Sequence, residues 1–137
     1  MKQPLKPETA TSILLERLSA FAAARAADES FMSHDDDSPY LCFGDFGRYL
    51  LEIVNRPERN QEAIVVIEKS FALLNEMGAS ADPEVANIAA TTVLESLTDT
   101  SEGIAAGRYY LSGPALERIL SVRFPGWLRM CVRISCQ

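Results

Sequence analysis

The sequence predicts an all-α single domain, residues 1–137, of about five helices packed as an antiparallel helical stack. Three observations carry that prediction. Ile64, Ile67, Phe71, Leu74 and Met77 recur at steps of three and four, the spacing that puts side chains on one face of a helix. Gly78 and then Asp82-Pro83 punctuate the chain as a helix stop followed by a capped helix start. Beyond them Val85, Ile88 and Ala89 make one apolar face, and Ala90, Val93, Leu94 and Leu97 make a second. A helix apolar on two faces is sandwiched between neighbours.

The elements follow in order. A first helix is expected from Thr9 or Thr11 to about Ala26, with Ile13, Leu14, Leu18, Phe21 and Ala22 as its buried stripe. Its alanine-rich second half has high helix propensity and lets a neighbour approach closely. The segment 28–39 is polar and acidic and reads as a loop. A second helix is expected over Phe46 to Asn55, with Asp45 as its N-cap and Gly44 turning the chain into it. Pro57 stops that helix and, with Glu58, opens the third, which Gly78 ends through the left-handed conformation a glycine tolerates. The fourth follows Asp82. Thr98 to Gly107, polar and glycine-bearing, reads as a loop. Ser112-Gly113-Pro114 starts a fifth helix with Leu116, Ile119 and Leu120 facing inward, ended by Pro125-Gly126. Residues 125–137 form a basic tail in which Val132 to Ser135 alternates like a strand but lacks an obvious pairing partner; a strand and an apolar tail over the helices both fit.

Asp82-Pro83-Glu84-Val85, followed by Ala89, Leu94 and Leu97, is similar to the second helix of a HEAT-type repeat and supports antiparallel, HEAT-like stacking. At 137 residues the chain can close a core without metals or disulfides. No basic start followed by an apolar run, and no stretch of about 18 apolar residues, is present, so the expectation is a cytoplasmic protein outside the membrane. Cys42, Cys131 and Cys136 match no zinc spacing and read as free thiols.

The net charge of −6 is unevenly spread. Asp28, Glu29, Asp35, Asp36, Asp37, Asp45 and Glu52 face Arg48 alone, and the stretch 82–102 carries acids without a base. Arg108, Arg118, Arg123, Arg129 and Arg133 make the end basic. This acidity argues against a nucleic-acid partner and for a basic protein, whose charge would complement it. His34 is the sole histidine, so His34-Asp35-Asp36-Asp37 lacks the ligands of a transition-metal site, and it matches no EF-hand spacing. No nucleophile elbow, phosphate loop or dinucleotide fingerprint occurs, and no cofactor is expected. The expectation is a protein that binds rather than catalyses. Any single acid reads first as solvated surface. Taken together, Asp35, Asp36, Asp37, Asp45, Glu84, Glu95 and Asp99 read as one recognition surface, with Tyr109 and Tyr110, in a loop beside Arg108, as its aromatic anchor.

Phe43-Gly44-Asp45-Phe46, the helix bearing Asp82-Pro83-Glu84-Val85 and Leu94-Glu95-Ser96-Leu97, and the start Leu111-Ser112-Gly113-Pro114 carry a family resemblance. Over about Tyr40 to Leu120 the chain resembles small acidic all-helical bacterial immunity proteins of polymorphic and contact-dependent growth inhibition toxin systems. It departs from them in its basic, cysteine-bearing tail. The resemblance implies a protein that binds a cognate toxin, of basic nuclease type, and occludes its active or substrate-binding surface. A helical scaffold or regulatory subunit for another intracellular protein is the rival reading.

Overall fold

The structure is a computed structural model that describes residues 4–27 and 38–121. Among these residues every regular element is a helix and none is a strand, and seven helices replace the expected five. They are α1 (Pro7–Arg17), α2 (Ser19–Ala27), α3 (Pro39–Val54), α4 (Gln61–Gly78), α5, α6 (Ser101–Tyr110) and α7 (Gly113–Ser121). α5 begins as Pro83–Ala89, passes through a π-helical segment, Ala90–Leu94, and closes as Glu95–Leu97.

The expected first helix is two. Leu18 leaves helical geometry (φ −111°, ψ 67°) and is itself buried, as are Leu14 before it and Phe21 after it. α1 also starts earlier than Thr9. Pro7 opens it, and the Thr9 hydroxyl accepts from the Lys6 N–H (2.9 Å) while donating to the Pro4 carbonyl (2.6 Å).

α3 begins at Pro39, well before Phe46, because Cys42, Phe43, Phe46, Leu50 and Ile53 form one continuous buried stripe. Asp45 is therefore inside the helix and not its N-cap. The Arg59 guanidinium donates to the Val54 carbonyl (2.6 Å) at its far end. Pro57 does not open α4; Asn60 does, its side-chain oxygen accepting from the Ala63 N–H at 2.8 Å.

Gly78 is the last residue of α4, and the residue after it, Ala79, is right-handed (φ −88°). The left-handed stop expected there is absent. Gly78 is small for a different reason: a Cβ on it would lie 2.7 Å from the Ala115 Cβ of α7. The same reason explains α6, which sequence reading took for a loop. A Cβ at Gly103 would lie 2.2 Å from the Leu97 carbonyl oxygen, and one at Gly107 2.6 Å from Ile119 Cδ1. Those glycines are packing surfaces, and the Thr100 hydroxyl caps the helix by accepting from the Gly103 N–H. In α7, Ala115 and Ile119 are buried, Leu116 is half-buried, and Leu120 is exposed rather than inward.

α5 is the hub, packing against α1, α3, α4, α6 and α7. Its π segment resolves the two apolar faces of the sequence into one. A π turn acts as one residue inserted into an α-helix, shifting everything after it by one position. With that shift, Val93 and Leu97 fall in line with Val85, Ile88 and Ala89, and all are buried. Glu95 N–H donates to the Ala90 carbonyl, the five-residue bond that marks the insertion. The Thr91, Thr92 and Ser96 hydroxyls donate to the carbonyls of Asn87, Ile88 and Thr92. α3 approaches this segment at Gly47, where a Cβ would stand 3.3 Å from Val93 Cα.

Candidate functional site

The residues singled out from sequence divide into four groups. Asp35, Asp36, Asp37 and His34 lie outside the described residues, as do Cys131, Cys136 and the tail from 122.

Asp45 is not on the surface. Its carboxylate is buried, Oδ2 accepting from Arg25 Nε (3.1 Å) and Oδ1 from Arg48 Nη2 (2.6 Å). Arg25 is itself buried at the end of α2, and its Nη2 meets no acceptor among the described residues. A carboxylate in a core needs such partners, and the one from Arg25 ties α2 to α3. It cannot also face a partner protein. Beside it, burial pushes the Cys42 thiol above its ordinary range; Arg25 pulls it down and Asp45 pushes it up, both more weakly.

Glu84, Glu95 and Asp99 are exposed, and none forms a salt bridge among the described residues. Glu84, Asn87, Thr91 and Glu95 are the outward residues of α5, the complement of its buried stripe. Glu84 and Glu95 are nevertheless about 16 Å apart along the axis at 1.5 Å per residue. Asp99 sits in the turn after the helix, one turn from Glu95.

Tyr109 and Tyr110 end α6 instead of lying in a loop. Tyr110 is half-buried, its ring stacked on Phe71 of α4 (centroids 5.1 Å, interplanar 15°). Tyr109 meets it edge-on at 4.7 Å and is 80 % exposed. Asn75 fixes this end of α6 by donating to the Tyr110 carbonyl (3.1 Å) and accepting from the Ser112 N–H (2.9 Å). The short connection 79–82 puts the start of α5 at this same end of α4. Glu84 and the tyrosine pair thus share one end of the molecule, and Glu95 and Asp99 the other.

Sequence reasoning missed a groove of about 270 Å³ between α5 and α7. Pro83, Ala86, Ala90 and Leu94 form one wall, Pro114 and Ala115 the other, and Gly78 lies between. Its polar side chains are Asn87, which donates to the Tyr40 hydroxyl (3.1 Å), and Arg118. The only sequence signal for it is the smallness of Ala86, Ala90 and Ala115, which by itself reads as tight packing.

Among the described residues no three of His, Cys, Asp or Glu gather as a metal ion would need, and no helix is long and apolar enough to cross a membrane. A family model described as a domain of unknown function (DUF7674) matches residues 11–121, most of the chain, which therefore belongs to that family. No curated protein and no solved structure matches it. The matched stretch takes in α2 to α7, and with them the acidic face of α5, the tyrosine pair and the groove.

Proposed function

We propose that this DUF7674 protein is an immunity protein that binds and neutralises a cognate basic toxin, without catalysis of its own, by covering the toxin's active or substrate-binding surface. One observation carries the reading: the outward face of α5 and the turn after it present Glu84, Glu95 and Asp99 without a cation paired to any of them among the described residues. Uncompensated carboxylates on a rigid helix steer a basic surface toward them and repel an acidic one. We read α4 and α5 as one antiparallel layer of a HEAT-like stack that holds this face. Asp35, Asp36 and Asp37 belong to the proposed recognition set on the ground of their charge alone, and Tyr109 supplies the exposed aromatic anchor that protein interfaces favour.

The test is co-expression with the product of the adjacent gene, followed by pull-down and growth rescue. Glu84→Lys, Glu95→Lys and Asp99→Lys together should slow association at least about tenfold at low salt, an effect that fades as salt is raised. Rescue and association unchanged in this variant, and again in one carrying lysine at 35–37, would remove the acidic face from the interaction. A partner unrelated to any toxin, bound with the same salt dependence, would favour the scaffold reading.

A further inference from the structure

We infer that α2 is a strap: it lifts off α3 by straightening at Leu18 into one continuous helix with α1, residues 7–27, and so uncovers the face of α3 that carries Cys42, Asp45, Phe46 and Tyr49. The device is independent of the toxin reading and belongs to the fold itself.

The break between α1 and α2 is not written in the local sequence. Glu16-Arg17-Leu18-Ser19-Ala20 holds neither a proline nor a glycine, the residues at which helices usually kink. Leu18 is the one residue between the two helices, and its ψ of 67° makes the bend. Helical hydrogen bonds still reach it from both sides, the Leu18 N–H donating to the Leu14 carbonyl (2.9 Å) and the Ala22 N–H to the Leu18 carbonyl (3.0 Å). The N–H groups of Ser19 and Ala20 reach no backbone carbonyl among the described residues; in a straight helix they would bond to Leu15 and Glu16. Leu14, Leu18, Phe21 and Arg25 follow one another at steps of three and four, so a straight helix would carry them on a single face. Straightening therefore adds hydrogen bonds and scatters no apolar stripe. The alanines of α2 favour the helix, and joining it to α1 removes the cost of nucleating so short a piece alone.

What holds the bend is tertiary, and it is slight. Phe21 and Arg25 are the buried residues of α2, while Ala20, Ala23, Ala26 and Ala27 face out. The Phe21 ring meets Phe46 and Tyr49 of α3, with centroids 5.3 Å apart in each pair. Arg25 reaches Asp45, but a buried ion pair recovers little beyond the desolvation it costs, and Arg25 Nη2 finds no acceptor among the described residues. Lifting α2 returns that guanidinium to water and leaves Asp45 with Arg48. Cys42, Asp45, Phe46 and Tyr49 also recur at steps of three and four, so they share the face of α3 on which Phe21 and Arg25 lie. Cys42, fully buried and near enough to Arg25 to feel its charge, reports when that face is uncovered.

The test is the rate at which iodoacetamide labels Cys42 in the full-length chain without denaturant, with peptide mass spectrometry separating it from Cys131 and Cys136. Ser19→Pro is the decisive variant. A proline suits the first turn of α2, where Leu18 is already outside the α region, but it breaks a straight helix by removing the bond to Leu15. It should slow labelling at least about tenfold with the helical circular dichroism unchanged. Gly103→Ala, which strains α6 against Leu97, should leave the rate as it is. A rise of about fivefold or more in Gly103→Ala would overturn the inference by making global unfolding the route to Cys42. A rate that Ser19→Pro leaves unchanged or raises would overturn it too. A second measurement stands apart from the proline: spin labels on Glu8→Cys and Ala26→Cys in a chain carrying Cys42→Ala, Cys131→Ala and Cys136→Ala. Adding Phe21→Ala, which removes the ring that seats α2, should bring up a distance of about 27 Å, the span of a continuous helix between those positions. A single shorter distance in that variant would sink the strap.

Discussion

Replacing Asp45 with alanine should cost this fold more than any other single acid-to-alanine change among the described residues. The carboxylate holds two guanidiniums, one of which, Arg25, is itself buried, with an Nη2 that meets no acceptor among the described residues. Breaking a buried pair from one side leaves an uncompensated ion, which costs about 3–5 kcal/mol. For a domain of this size each kcal/mol moves the midpoint by about 4 °C, so the expected fall in Tm is about 12–20 °C. Arg48, whose side chain is 55 % exposed, can return to water when Asp45 is lost, and Arg48→Ala leaves Asp45 still held by Arg25, so that change should cost less than Asp45→Ala. The assay is urea unfolding followed by far-UV circular dichroism, with the slope compared to confirm that only stability has changed. The double change Arg25→Met with Asp45→Leu should recover most of the loss, since an apolar pair can replace a buried ionic one at little cost. A loss below about 1 kcal/mol for Asp45→Ala, or a double variant no better than the single one, would refute the claim that the carboxylate exists to neutralise a buried arginine.

Two glycines of similar appearance in the sequence should respond in opposite directions. Gly103→Ala drives a Cβ against the Leu97 carbonyl, a backbone atom that cannot swing aside, and should lose about 1–3 kcal/mol in thermal unfolding. Gly44→Ala, inside α3 with nothing within 4 Å of the new carbon, should gain about 0.5–1 kcal/mol from the entropy glycine forfeits in a helix. Deleting Thr91 should leave the fold standing, because removing the inserted residue turns the π segment into plain α-helix with the same register at Leu97; the loss is about 1 kcal/mol for its hydroxyl bond to Asn87. A deletion variant with no cooperative unfolding would show that the π turn is not a register insertion. Burial keeps the Cys42 thiol neutral in the folded chain, while the unfolded chain releases that proton near pH 9.0. The native pKa is the higher one, so this contribution is complete below that pH and shrinks as pH rises through it. Stability measured from neutral to alkaline pH should fall less steeply in Cys42→Ala than in the parent, and equal slopes would contradict the burial of the thiol.

What the sequence revealed and what it hid divide along one physical line. α4 was legible because its apolar spacing is a property of one helix, and the start of α5 because Asp82-Pro83 carries its own capping chemistry: Asp82 accepts from the Glu84 N–H at 2.9 Å. Asp45 was not legible. An acid after a glycine reads as a cap when only neighbours are considered, and the guanidinium that brings it into the core belongs to Arg25, on another helix. α6 was hidden in the same way, since Gly103 and Gly107 break a helix in isolation but admit Leu97 and Ile119 in the folded chain.

The π segment is the instructive intermediate case, because its trace was present and was read as something else. Val85, Ile88 and Ala89 against Val93 and Leu97 look like two faces if every residue turns by the same angle. They are one face if a single residue is extra. The insertion brings Val93 and Leu97 inside, while Thr91 and Glu95 stay outside and Ala90 and Leu94 line the groove. A regular α-helix of the same sequence would rotate Leu97 by about 100° from its buried neighbours. It would have to choose between core and surface at that position. The outward residues need no such device, because Glu84, Asn87, Thr91 and Glu95 are three and four apart and share a face of a regular helix as well. The added residue therefore serves the core of α5, and a change in its register must be felt first at Val93 and Leu97.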